Sequence, residues 1–207
     1  DALPIKITDI DKELIVKGVG LIETQEYKKR YQQKAATIWF TGLHGSGKNE
    51  LAYTLQKSLF EMGAHVVLLD GKSTRSGLSR ELDYSPSDRA EHLRRVAHIS
   101  KLLNQQGIIV ICSFISPSES IRQQAKEIIG RDQFHLIYMN ADVDYCKKND
   151  QYKLYDLIEE GSIKYLPGVD IDYEVPEKPE IIFTPEEKDK GLEKVLSYLS
   201  EKKIFPI

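Results

Sequence analysis

The segment Gly42-Leu43-His44-Gly45-Ser46-Gly47-Lys48 constrains this chain more than any other. It follows the apolar, β-branched run Thr37-Ile38-Trp39-Phe40 and opens a helical pattern from about Lys48 to Met62, with Gly63 as its stop. A G-x-x-x-x-G-K segment set between a buried strand and a helix is a phosphate-binding loop in its required context. Its glycines let backbone N–H groups curl around phosphate oxygens, the helix N-terminus adds partial positive charge, and the Lys48 ammonium reaches the terminal phosphates. A nucleoside di- or triphosphate, or a phosphate-like anion, is therefore expected at Gly42, Leu43, His44, Gly45, Ser46, Gly47, Lys48 and Asn49. Such a loop normally continues with Ser or Thr, whose hydroxyl coordinates Mg²⁺. Here Asn49 and Glu50 follow Lys48. An amide oxygen can bind a hard cation, but it is longer and sits at a crowded helix start, so no metal ligand is assigned.

Apolar strands alternate with helices along the rest of the chain. His65–Leu69, Ile108–Cys112, Phe134–Met139 and Glu180–Phe183 read as further strands, and Lys190–Lys202 as a closing helix. Ser85-Pro86-Ser87-Asp88 is a helix start, with Ser as N-cap, Pro at the first helical position and an acid at the third; that helix is expected to run to about Gln106. The fold class is α/β: a P-loop NTPase fold with a central parallel β-sheet flanked by helices on both faces, occupying residues 35–207. Residues 1–34 read as an appendage or the tail of a preceding domain. Within them, Ile5–Ile7 and Glu13–Ile22 form a hairpin pattern, and Gln25–Lys34 is a polar run with the character of a linker or exposed helix.

Composition narrows the function classes. The chain has 207 residues, with 29 Lys+Arg against 32 Asp+Glu and a net charge of −3, so no nucleic-acid partner is expected. No apolar stretch approaches the ~20 residues that span a bilayer, and no membrane association is expected. The start, Asp1-Ala2-Leu3-Pro4, has neither an initiator Met nor a signal-peptide profile and reads as processed or truncated. Cys112 and Cys146 match no metal or disulfide framework, which places the protein in the reducing cytoplasm. The five histidines, His44, His65, His92, His98 and His135, show no zinc spacing.

Several segments, in order, resemble the adenylylsulfate (APS) kinase family: Phe40-Thr41-Gly42 through Lys48; Leu69-Asp70-Gly71 with Arg75 and Gly77-Leu78; Ser85 with Asp88-Arg89 and Arg94-Arg95; Phe114-Ile115-Ser116-Pro117; and Lys164, Gly168-Val169-Asp170, Tyr173-Glu174 and Pro176-Glu177-Lys178-Pro179. The resemblance runs from about residue 35 to about 185. It implies ATP-dependent phosphorylation of the 3′-hydroxyl of adenylyl sulfate, giving PAPS for sulfate assimilation, with Mg²⁺ expected for the family. It implies adenylyl sulfate or PAPS as ligand, a homodimer, and fusion to or association with ATP sulfurylase, whose GTPase-type subunit the N-terminal hairpin resembles over a short span.

By the same resemblance, Asp70, Arg75, Tyr84, Arg89, His92, Ile115, Ser116, Lys164 and Leu166 are substrate-binding positions. Arg75 and Arg89 would hold the phosphosulfate, Tyr84 would stack on the adenine, and Lys164 would sit in a mobile lid. Lys48, Ser116 and Lys72 are the catalytic positions, Ser116 standing where a phosphoserine intermediate has been assigned. Taken singly, the bland reading of each prevails, Arg75 and Arg89 as surface residues, Ser116-Pro117 as a helix cap and Tyr84 as core; their occurrence in the family's order reverses that. The chain also departs from the family. Lys72-Ser73 replaces Asp-Asn, His92 replaces a substrate-binding Asn, Leu166-Pro167 replaces Phe-Thr, and Asn149-Asp150-Gln151-Tyr152-Lys153 replaces Arg-Asp-Pro-Lys-Gly. Lys72 reverses the charge of the family's acidic partner; its ammonium is expected either to project between the loop phosphates and the second nucleotide site, or to face solvent or pair with Asp70 or Glu50. Three readings stay open: an APS kinase weakened at its metal site, a non-catalytic nucleotide-binding or regulatory domain, and a kinase for another small hydroxylated substrate.

Overall fold

The computed structural model describes residues 21–206. The hairpin expected over residues 5–22 falls almost wholly outside the described residues. Five strands form one sheet: β1 (Ala36–Gly42), β2 (Val66–Asp70), β3 (Ile109–Ser113), β4 (Phe134–Met139) and β5 (Ile181–Phe183). Their order is β2-β3-β1-β4-β5, and every pairing is parallel. The helices are α1 (Thr24–Tyr31), α2 (Lys48–Glu61), α3 (Gly71–Ser76), α4 (Pro86–Gln105), α5 (Glu119–Ile129), α6 (Val143–Lys148), α7 (Leu154–Glu159) and α8 (Gly191–Glu201).

Successive side chains of a strand point to opposite faces, and β1 feeds two separate cores. Ala36, Ile38 and Phe40 pack with Leu55 and Leu59 of α2 and Val195 and Leu199 of α8. Trp39 packs on the other face with Leu93 and Val96 of α4 and Ala125 and Ile129 of α5. Both faces are dry, which is why the strands read as continuous apolar runs rather than alternating ones. The cap of α4 is as its sequence demands: Ser85 Oγ accepts from the Asp88 N–H, with Pro86 at the first helical position.

Most of the polar segment 25–34 lies in α1, which docks onto the sheet's N-terminal rim. Tyr27 Oη donates to Gln106 Oε1 at 2.6 Å, and Tyr31 stacks on His65 with ring centroids 3.9 Å apart. Helices α3, α5, α6 and α7 are additions to the sequence reading, three of them of only six residues and so too short for a hydrophobic period to show. In a parallel sheet every strand ends at the same edge. Gly42, Asp70 and Ser113 therefore arrive side by side on β1, β2 and β3, where an open α/β sheet presents its ligand crevice.

Candidate functional site

The loop leaving β1 has the backbone its glycines allow. Gly45 lies at φ +81°, and a Cβ there would fall 2.4 Å from the Cys146 carbonyl oxygen; Gly47, at φ +86°, is the N-cap of α2. Lys48 is buried, and its ammonium donates to the Leu43 carbonyl at 3.1 Å. No carboxylate pairs with it among the described residues, and burial pushes its pKa down from 10.5 to about 8. Ser46 Oγ is buried without a partner. His44 Nε2 lies 2.7 Å from Asp150 Oδ1, and Tyr155 Oη donates to the His44 carbonyl at 2.8 Å, so the loop is stapled both to α7 and to the connection that precedes it. A cavity of about 280 Å³ opens here, bounded by loop residues, Asn49, Tyr53, Asn149, Gln151 and Tyr152. Tyr53 was not singled out as a site position although it follows the loop by one turn of α2; Gln151 and Tyr152 appeared only in the segment that departs from the family, and the connection after β4 brings them here.

The metal side differs from an ordinary phosphate-binding loop. Asn49 Oδ1 accepts a hydrogen bond from Ser113 Oγ at 2.6 Å, so its amide oxygen is engaged. Asp70 Oδ1 accepts from the Ser73 N–H at 2.7 Å and Oδ2 from Tyr53 Oη at 2.6 Å. Burial opposes the charge on Asp70, but these hydrogen bonds outweigh it and hold the carboxyl below the usual range. Among the described residues no three His, Cys, Asp or Glu side chains form a metal-binding group. The oxygens of Asn49 and Asp70, the groups on this side that could face a metal ion, are thus each engaged in a hydrogen bond within the protein. Lys72 lies in the first turn of α3, exposed, outside the cavity lining and without a side-chain partner among the described residues.

A second polar cluster lies between α3 and α4. Arg75 donates to the Asp83 carbonyl at 2.8 Å, and its guanidinium carbon sits 4.4 Å from the centre of the Tyr84 ring. Tyr84 is itself largely exposed. Arg89 is buried, donates to the Tyr165 carbonyl at 2.7 Å, and leaves its Nε without a partner. Burial and the nearby Arg75 push its pKa down to about 10. Neither arginine has a carboxylate salt bridge among the described residues. His92 is 2% exposed, packs edge-on to Phe114, and has both ring nitrogens unpartnered. Two buried or half-buried guanidinium groups without a counter-ion can pair with an oxyanion.

Other sequence-derived positions have different surroundings. Ser116 is buried at φ +39°; its Oγ accepts from Trp39 Nε1 at 3.1 Å and donates to Thr41 Oγ1 at 2.9 Å. That hydroxyl serves the framework and is not presented to the crevice, which runs against a covalent role. Ile115 contributes its carbonyl to Thr41 Oγ1 at 2.6 Å. Leu166 is buried with Leu43, Ala141, Cys146 and Tyr155 beneath the phosphate-binding loop, not open to a nucleobase. Lys164 is exposed.

The model of the adenylylsulphate kinase family matches residues 34–184. The chain is 40% identical over 169 residues to a probable adenylyl-sulfate kinase of Bacillus subtilis, covering 82% of this chain and 86% of that one. It is 38% identical over 164 residues to a protein of Rhodopirellula baltica named bifunctional enzyme CysN/CysC, covering 79% of this chain and 25% of that one. Among solved structures it resembles the Mycobacterium tuberculosis APS kinase CysC in complex with AMPPNP and APS, with a TM-score of 0.77, 33% identity, and coverage of 81% of this chain and 99% of that one. With the sheet order, the strand–loop–helix and these relatives in agreement, the chain belongs to the adenylylsulphate kinase family.

Proposed function

We propose that this domain transfers the γ-phosphoryl group of ATP to the 3′-hydroxyl of adenylyl sulfate, giving ADP and PAPS. The observation that carries this reading is the pair of cationic seats at one sheet edge: Lys48 over the β1 loop and Arg75 with Arg89 between α3 and α4, none salt-bridged to a carboxylate among the described residues. Lys48 binds the β- and γ-phosphates and regains full charge against them. Arg75 and Arg89 hold the phosphosulfate, with Tyr84 beside them as an aromatic surface. In the transfer the bond between the γ-phosphorus and the β,γ-bridging oxygen breaks, that oxygen leaving with ADP, a bond from the γ-phosphorus to the 3′-oxygen forms, and the hydroxyl proton leaves to solvent. The transition state is loose, so positioning and charge neutralisation matter more than a strong base.

Turnover is expected to be low. Asn49 and Lys72 together remove the hydroxyl and the carboxylate through which a metal ion would be held. Removing one electrostatic donor costs ~10²–10³ in rate elsewhere, and losses within one constellation do not simply add. This observation also favours a second reading, in which the domain binds its nucleotides without turning them over. A coupled ADP-release assay with MgATP and adenylyl sulfate, run beside a binding titration, separates the two: turnover supports the kinase, and binding alone supports the module. Absence of binding by either ligand would overturn both.

Fusion to a second enzyme is one arrangement, supported by the bifunctional relative; a homodimer is another. A cytoplasmic setting agrees with two buried free thiols. Among the described residues no helix is long and apolar enough to cross a membrane.

A further inference from the structure

We propose that His92 couples substrate binding to proton uptake: its imidazole, neutral in the empty site, takes a proton from solvent when adenylyl sulfate settles between Arg75 and Arg89, so binding tightens as the pH falls. This rests on reading the two arginines as the adenylyl sulfate seat.

The argument begins with burial. His92 is 2% exposed, and neither ring nitrogen has a hydrogen-bond partner. Buried polar atoms are ordinarily paired, and an unpaired one needs an explanation such as an absent ligand. His92 lies one turn beyond Arg89 on α4, on the same helix face. Arg89 Nε and Ser79 Oγ are also buried without partners, and Ser79 follows Leu78, whose carbonyl accepts from Arg95 at 3.0 Å. The open atoms of Ser79, Arg89 and His92 thus belong to one corner of the fold, between α3, the connection after it and α4, apart from Ser46 Oγ and His135 Nε2, which lie elsewhere. The β3 side contributes the Phe114 ring, centred 5.5 Å from the imidazole, which closes the corner with an apolar surface and no charge.

The charges acting on His92 all have one sign. Arg75 comes from α3, and Arg89 and Arg95 from its own helix. Arg95 is already paired with Glu81 and Glu91, whereas Arg75 and Arg89 have no carboxylate salt bridge among the described residues. With nothing bound, burial first and these cations second push the imidazole down to about 4. An oxyanion seated on Arg75 and Arg89 cancels the repulsion and gives an imidazolium N–H an acceptor. Both acidic groups of adenylyl sulfate stay ionised through neutral and mildly acidic pH. A proton taken up on binding is therefore the protein's, carried by the imidazole as imidazolium.

The test is calorimetric titration of the full chain with adenylyl sulfate between about pH 5 and pH 7.5, the range in which a histidine titrates, in buffers of unlike ionisation heat. The expected result is uptake approaching one proton at the acid end, with affinity rising by up to about tenfold per pH unit. His92→Asn should bind with no proton uptake and a flat pH profile. Imidazole ¹⁵N shifts of the native protein, free and saturated, give the same answer should that variant fail to fold. Binding without proton uptake, an undiminished uptake in His92→Asn, or a neutral ring in the saturated protein would overturn the proposal and leave the kinase reading standing. No binding of adenylyl sulfate at any pH would remove that reading and this proposal with it.

Discussion

Replacing Lys48 by Met should make the nucleotide-free protein more stable while removing nucleotide binding. The Lys48 amine is held at about 8 against an ordinary 10.5, with desolvation as the main cause. That gap corresponds to about 3 kcal/mol that folding loses at neutral pH by keeping a charged lysine in this environment. Met keeps the length and apolar stem but forfeits the hydrogen bond to the Leu43 carbonyl, worth ~1 kcal/mol. The net expectation at pH 7 is a gain of about 2 kcal/mol, or a rise of roughly 4–8 °C in Tm for a domain of this size. The sign of the pH dependence follows from proton counts. Between the folded value of about 8 and the unfolded value of 10.5, the unfolded chain holds a proton that the folded chain has released. Native stability therefore rises with pH across that window relative to the Met variant, and the difference between them shrinks. Trp39, the single tryptophan and fully buried in β1, reports unfolding in urea titrations of both proteins near pH 7 and near pH 10. A Met variant no more stable than the native protein at pH 7, or a stability difference that does not shrink with pH, would refute the reasoning. Added ADP should raise the native Tm and leave the variant's unchanged.

Three further outcomes are expected. Arg89→Ala should weaken adenylyl sulfate binding by ~10–100-fold, the loss of charged hydrogen bonds, with ADP affinity within about twofold in a titration. Asn49→Ser combined with Lys72→Asp should raise the ADP-release rate more than either change alone; native turnover already at the ~1–100 s⁻¹ of ordinary kinases would contradict the reading of this site as impaired. Ser116→Ala should lower stability by ~1–3 kcal/mol in urea titrations, because Trp39 Nε1 and Thr41 Oγ1 lose a buried partner. If instead it abolishes turnover at unchanged stability, Ser116 takes part in the chemistry.

The strands, the long helices and the parallel sheet were legible from the chain alone, because each is written in local pattern. β1, β4 and α4 are apolar runs or capped periods whose cause lies within a few residues. The phosphate-binding loop belongs with them in its G-x-x-x-x-G-K pattern and positive φ angles, although the atoms that exclude a Cβ at Gly42 and Gly45 come from the distant Met139 and Cys146. Direction and partnership of side chains were not legible. Ser116 has the chemistry of a nucleophile, yet Trp39 and Thr41 claim its hydroxyl from a strand far off in sequence. Leu166 falls into the apolar cluster under the loop, and Asn49 gives its oxygen to Ser113 only because β3 ends beside the start of α2. His92 acquires its meaning from cations on two helices that meet around it. Local residue order sets which backbone a segment can adopt. What a side chain faces is settled by segments distant in the chain, and in this protein that is where the chemistry of the site was decided.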